Sequence, residues 1–369
     1  MQFDVHATSG KARAGTLVTA HGSVQTPAFM PVATQATVKG VEAEALSGLG
    51  ARMAIMNTYH LWLRPGAELI AELGGLHAFS RFPHTIVTDS GGFQAFSLAS
   101  RTKVSDAGVE FSSHLDGKRC LLSPEEAMRV QGLLASDIAM QLDICPPAQS
   151  SHEELVRAVE QTTRWAKRCL DARRPTQAVF GIVQGGSEVN LRLRHVEELA
   201  ALPLDGLALG GFSVGEPPQV MHQTLSQVVF RMDAARPRYL MGVGTQADLI
   251  RAIGSGIDMF DCVLPTRNAR NGQVFLTTGK LVIRNSKFQN DARVLEPGCP
   301  CPSCEQGYSR AFLRHAYIAG EMTALRLITL HNLHLYQRLV AEARLSIIRG
   351  DYERWASARL RQLGADSED

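Results

Sequence analysis

Residues 178–186 read AVFGIVQGG, an apolar run of strand length that stops at a glutamine and a pair of glycines. The pattern returns at AFMPVATQ (28–35), RMAIMNTYH (52–60), TIVTDSGGF (85–93), DIAMQLDIC (137–145), GLALGGFS (206–213), RYLMGVGT (238–245) and DMFDCVLP (258–265). Stretches between several of these runs carry helical spacing. SSHEELVRAVEQTTRWAKRCL (150–170) sets Leu155, Val159 and Trp165 near one face, with charges between. Strands alternating with helices imply a parallel sheet. Eight such strands predict an α/β fold, a (β/α)8 TIM barrel with its site where the strands end. The residues at those ends are Asn57, Asp89, Asp143, Gln184, Gly210, Gly211, Gly242 and Asp261. An open doubly wound sheet would need a glycine-rich phosphate loop after its first strand, and VATQAT (32–37) is not one.

Between the third and fourth runs lies SRTKVSDAGVEFSSHLDGKRCLLSPEEA (100–127), which alternates apolar and polar residues. Its turn signals at Ala107-Gly108 and Asp116-Gly117 predict a hairpin insertion near 100–122 over the barrel mouth. The expected layout is a barrel core over 1–285 and a helical subdomain over 286–369 packed on it.

With 369 residues, 45% of them hydrophobic, the chain can bury a large core. It has no run of about 18 apolar residues, so no membrane partner is expected. MQFDVHATSGKARAG lacks the apolar stretch of an export signal, which predicts a cytoplasmic protein. The net charge of +2 leaves any nucleic-acid signal to local clustering. One cluster exists: Arg267, Arg270, Lys280, Arg284, Lys287 and Arg293 face only the acid Asp291 across 267–293. A polyanion lying on it would reach the barrel mouth.

Of seven cysteines, three crowd into GCPCPSC (298–304). Cys299, Cys301 and Cys304 with one imidazole would make a closed tetrahedral zinc site of structural character. His331, in TLHNL behind a helical run, is the expected fourth donor, with His315 the alternative. The remaining puzzle is GIDMFDCVLPTRNARNG (256–272). Asp261 sits at the end of an apolar strand, followed by Arg267 and Arg270 in what reads as a basic loop. A charge placed there is costly unless it is paired or used.

TDSGGFQ (88–94), FGIVQGG (180–186), LALGGFSVGE (207–216), RYLMGVG (238–244), DMFDCVLPTRNARNG (258–272) and CPCPSC with TLHNL together resemble the tRNA-guanine transglycosylases, over nearly the whole chain. That family has a (β/α)8 barrel with a zinc subdomain. It exchanges the wobble guanine of tRNAs with a G-U-N anticodon for a 7-deazaguanine, in queuosine biosynthesis, through a covalent enzyme–RNA intermediate. Replacing a base with retained configuration calls for a double displacement with two carboxylates. The resemblance implies Asp261 as nucleophile and Asp89 as general acid/base, although an aspartate before Ser-Gly-Gly would also serve as a helix cap. It further implies that Ser90, Asp143, Gln184 and the Gly211 N–H read the edge of the base, and that Phe93 and Met241 sandwich its faces. Glu216 would answer the aminomethyl group. Val214 and Cys145 follow the pattern of relatives that insert 7-aminomethyl-7-deazaguanine rather than queuine. Ile144 stands where those relatives carry glutamate, and Phe93 where some carry tyrosine. Arg267 and Arg270 would contact the anticodon loop, and the working unit would be a homodimer.

Two other readings compete. A non-catalytic tRNA-binding subunit of the same fold should lack one of the two aspartates, and both are present. A metabolic TIM-barrel enzyme acting on a phosphorylated sugar could use GVGTQAD (242–248) as a phosphate loop, but it leaves the cysteine cluster unexplained.

Overall fold

The computed structural model describes residues 1–98 and 102–365. The eight runs become strands of one parallel sheet: Ala28–Met30 with Val32–Ala33, then Met53–Met56, Thr85–Thr88, Ile138–Met140, Ala178–Val183, Gly206–Leu209, Arg238–Leu240 and Met259–Asp261. Pro31 has no N–H and divides the first run in two. Its first half pairs with the last strand (Phe260↔Phe29, Asp261↔Met30), and its second half pairs with the next (Val32↔Ile55, Ala33↔Met56). The nine segments thereby wrap into a nearly closed barrel with helices outside it, as the alternation of runs predicts. The 150–170 stretch is part of the helix His152–Ala172, with Leu155, Val159 and Trp165 buried.

Successive strand residues face opposite sides, and the burial clusters separate accordingly. Met30, Met53, Ile55, Val87, Ile138, Met140, Phe180, Ile182, Ala208, Tyr239 and Met259 fill the barrel interior. Phe29, Ala54, Met56, Ile86, Ala139, Val179, Val183, Leu209, Leu240 and Phe260 pack outward against the helices. Gly206 is required by this packing, since a Cβ there would lie 2.5 Å from the Phe180 ring.

A three-stranded antiparallel sheet (Gln2–Ser9, Ala12–Thr19, Gly22–Thr26) closes the amino-terminal end of the barrel, with Leu17 and Val24 joining the interior. Arg13 ties it down. Its Nε and Nη2 donate to the two oxygens of buried Asp258 at 2.8 and 2.6 Å, and the carbonyls of Ala234 and Arg236 accept from Nη1 and Nη2. These strands alternate instead of running apolar, so they do not stand out beside the barrel runs.

At the opposite end, Thr102–Ser105, Gly108–Ser112 and Arg119–Leu122 form a second antiparallel sheet within the expected insertion, whose residues 100 and 101 lie outside the described residues. After the last strand, the expected basic loop is in fact the helix Leu264–Arg270, with Pro265 in its first turn where no N–H is needed. A hairpin (Gln273–Leu276, Gly279–Val282), a 3-10 turn (Ser286–Phe288) and, among the described residues, four α-helices follow, of which Met322–Arg349 is the longest. That helix is fastened to the barrel through Gln337 Nε2 to the Phe29 carbonyl (3.0 Å) and Tyr336 Oη to the Gly244 carbonyl (3.1 Å). No helix among the described residues is long and apolar enough to cross a membrane.

Candidate active site and metal centre

The inward register carries past the ends of the strands. Asn57, Asp89, Gln184, Gly210, Met241 and Asp261 each lie two residues beyond an interior side chain: Ile55, Val87, Ile182, Ala208, Tyr239 and Met259. In parallel strands all six therefore project at one mouth.

Asp261 ends its strand partly exposed at that mouth. Its Oδ1 accepts from Tyr239 Oη at 2.5 Å and from the Gly242 N–H at 2.8 Å. Burial raises its pKa, and these two donors oppose the rise. Asp89 is buried and held from three sides. Asn57 Nδ2 and Gln94 Nε2 (3.0 Å) donate to Oδ2, and the Thr58 N–H donates to Oδ1 at 2.8 Å. Burial, with a smaller contribution from the charge of Asp261, lifts Asp89 to about 6 against the pull of Asn57, Thr58 and Gln94. The two carboxylates thus share one low-dielectric mouth, close enough to perturb one another. A group that titrates near neutrality can both give and take a proton at physiological pH.

Beside them is a second polar set. Gln184 Nε2 donates to Asp143 Oδ2 at 2.7 Å, and Ser90 adds a hydrogen bond to the same carboxylate. Burial pushes Asp143 to about 6, with Gln184 and Ser90 opposing. Cys145 lies against Asp143, Gln184 and the Gly211 N–H, and burial pushes its thiol up to about 12, so it stays protonated. Gln184 Oε1 is buried without a partner, an acceptor held ready. Both glycines of Gly210-Gly211 are dictated by this glutamine. A Cβ would lie 2.7 Å from Gln184 Nε2 at position 210 and 2.4 Å from Gln184 Oε1 at position 211, where φ is +67°. Gly211→Ala is therefore expected to expel Gln184 from its place and to cost about 1–3 kcal/mol of stability, read as a lower urea midpoint.

Phe93, on the helix Gly92–Leu98, is 52% exposed. Met241 is half-buried at the mouth. Glu216 folds back on its own turn, accepting from the Ser213 and Val214 N–H groups at 2.5 and 3.1 Å. Arg267 is exposed and Arg270 half-buried on the helix that follows Asp261. Burial and the neighbouring charge of Arg267 lower the pKa of Arg270. The rest of the basic cluster is surface. Arg293 pairs with Asp291, which also binds Arg310.

The cysteine cluster forms a separate centre. Cys299, Cys301, Cys304 and His331 are all buried, and their donor atoms lie within 4.8 Å of one another. His331 Nδ1 is 3.8, 3.3 and 3.6 Å from the three sulfurs. Zinc–sulfur and zinc–nitrogen bonds of about 2.3 and 2.0 Å put tetrahedral donors roughly 3.5–3.8 Å apart, so the group can hold a metal ion. His331 Nε2 donates to the Phe275 carbonyl at 2.8 Å, which leaves the Nδ1 lone pair for the metal. His315 is exposed on the helix Arg310–Ile318 and takes no part.

Several members of the mouth escape a reading by motif. Asn57, already named as a strand-end residue, holds Asp89 together with Gln94, and Tyr239 holds Asp261; Gln94 and Tyr239 had no assigned role, and the inward register of Tyr239 before Met241 is the one legible sign of the latter. Arg192 and His195 underlie the Gln184 strand end. At the far end of the barrel, His21 and His77 flank Asp137 with their rings stacked 3.4 Å apart. Parallel rings so stacked cannot both hold one ion in plane, and the trio serves to fasten the His21 turn to the barrel.

The family profile described as Queuine tRNA-ribosyltransferase matches residues 8–365. The queuine tRNA-ribosyltransferase of Sorangium cellulosum (strain So ce56) is 59% identical over 358 residues, covering 97% of this chain and 91% of that protein. Those of Moorella thermoacetica (51% identical, 95% and 96% covered) and Aromatoleum aromaticum (48% identical, 97% of each) are similar over the same extent.

Proposed function

The chain belongs to the queuine tRNA-ribosyltransferase family, transferases that act on tRNA guanine, and from that premise we propose that it exchanges the wobble guanine of G-U-N tRNAs for a 7-deazaguanine by double displacement. The observation that carries the reading is the pair Asp89 and Asp261, two carboxylates at strand ends of the same barrel mouth, each perturbed toward the protonated form. Asp261 attacks C1′ of the wobble ribose. Guanine departs with the bonding electrons and takes a proton from Asp89. The incoming base returns a proton to Asp89 as it attacks C1′ and expels Asp261.

Ser90, Asp143, Gln184 and Gly211 read the edge of the base, and Phe93 and Met241 hold its faces. Phe93 has the free ring face that stacking needs. Cys145 and Val214 favour 7-aminomethyl-7-deazaguanine as the incoming base, with Glu216 turned toward its ammonium once the Ser213 and Val214 N–H groups are released. Arg267 and Arg270 flank the anticodon loop. The Cys₃His group holds zinc. The exposed apolar residues Phe312, Ile318 and Met322 beside it suit a homodimer interface.

The test is incorporation of labelled guanine into unmodified tRNA. With Asp89 and Asp143 both at about 6, each must be ionised to accept from the incoming base. Protonation below that value turns an acceptor into a donor. The kcat/KM for the base is therefore expected to hold above pH 6 and to fall below it by up to a hundredfold per pH unit, a slope of two. A flat profile from pH 7 to 5 would refute both assignments.

A further inference from the structure

Arg192, on the helix Val189–Ala200, is 0% exposed and takes no part in the chemistry above. Among the described residues it forms no ion pair. Its guanidinium instead gathers carbonyls from two strand ends: Nε donates to Gly186 (2.6 Å), Nη1 to Val183 (3.2 Å), and Nη2 to Gly210 (2.9 Å) and Gly211 (3.5 Å). The Phe212 ring lies 3.8 Å from the guanidinium carbon. Enclosing a cation without an ion-pair partner is costly, and burial pulls its pKa down to about 9, with the charge of Glu216 opposing only in part. An apolar side chain would fill the same space at lower cost.

What the guanidinium can do and a leucine cannot is fix the orientation of peptide planes. In a trans peptide the C=O and the N–H point in opposite directions. Holding the Gly210 carbonyl from beneath therefore aims the Gly211 N–H away from Arg192, into the pocket, where it reaches the Cys145 thiol. A peptide between two glycines flips with little steric resistance, so something must hold it. The adjacent strand end repeats the device. The Val183 carbonyl is held by Arg192, and the Gln184 N–H on the far side of that peptide donates to His195 Nδ1 at 2.8 Å.

We propose that Arg192 is a positioning residue that locks the Gly210–Gly211 peptide with its N–H facing the base, and so makes the pocket select 6-oxopurines over 6-aminopurines. The inference rests on the base-exchange reading of the same pocket. A fixed N–H attracts a carbonyl oxygen at the six position and repels an amino group there. A flipped peptide would present the Gly210 carbonyl and reverse the preference.

The experiment compares the wild type, R192K and R192M for guanine KM, for inhibition by 2,6-diaminopurine and for tRNA binding by filter retention. For R192M, guanine KM is expected to rise ten- to a hundredfold and the guanine preference over 2,6-diaminopurine to fall at least tenfold, with tRNA binding unchanged. R192K, which reaches fewer carbonyls, should fall between and decides the matter if R192M does not fold. Base preference within twofold of wild type in the folded variants, or a parallel loss of kcat and tRNA binding, would reduce Arg192 to a strut and overturn the proposal. Calorimetric titration of the two free bases gives the same comparison without turnover. A wild type that binds guanine but does not exchange it refutes the functional reading and leaves this one standing, whereas one that prefers neither base overturns both.

Discussion

Asp261→Asn is expected to lower base exchange by at least ~10⁴-fold, the scale on which an enzyme loses its covalent nucleophile. The substitution is close to isosteric. The asparagine carbonyl can still accept from Tyr239 Oη and from the Gly242 N–H, the two donors that hold Asp261 now. The amide removes a charge from an enclosed site, so the fold should not suffer and tRNA affinity should persist. What disappears is the lone pair able to displace guanine from C1′. The measurement is a denaturing gel after incubation with an unmodified anticodon stem-loop and 9-deazaguanine. A shifted RNA–protein band is expected for the wild type alone. A band of equal strength in Asp261→Asn would move the nucleophile to another carboxylate, with Asp89 the first to suspect. Binding without a band in either protein would favour the non-catalytic subunit reading.

The barrel and most of its mouth could be read in the sequence because both follow local rules. Each barrel strand is an apolar run, and a strand covered on both faces has no other way to be written. The register that puts Ile182 inside also puts Gln184 at the mouth, so the strand ends named their own candidates. The amino-terminal sheet was not legible for the converse reason. Its strands are half-solvated, and the contacts that place them, Arg13 with Asp258 and His21 with Asp137, span 245 and 116 residues. Tyr239 and Arg192 were hidden differently. A tyrosine in an apolar run passes for core, and an arginine on an amphipathic helix passes for surface. Only the fold shows that the first grips Asp261 and that the second is enclosed beneath two glycines. The basic stretch after Asp261 was misread as a loop because its two arginines masked a short helix whose apolar face, Pro265, Thr266 and Ala269, is buried.

Removing the metal should have the largest effect on stability. Cys299, Cys301 and Cys304 come from a segment rich in proline and glycine that has little regular structure of its own, and His331 comes from the middle of a 28-residue helix. Without an ion, three thiols and an imidazole are left buried together with no other use for their polarity. With zinc, the thiols ionise, and the site contributes folding free energy that reaches about 10–16 kcal/mol in isolated zinc modules, as large as the net stability of a whole domain. The consequence extends to the mouth. Asn332, next to His331, accepts from the Phe275 N–H at 2.9 Å and donates to the carbonyls of Pro265 and Gln273 at 3.0 and 3.1 Å. The helix that carries His331 thus holds the helix that carries Arg267 and Arg270. Cys301→Ser is expected to reduce bound zinc from one per chain to well below one, to lower the melting temperature by more than any mouth substitution, and to weaken tRNA binding before it weakens binding of free guanine. Elemental analysis, a thermal melt and the two binding assays on one preparation check all three. Full tRNA affinity in a zinc-free protein would show that the Arg267–Arg270 helix stands without the metal and would break the proposed link between the two centres.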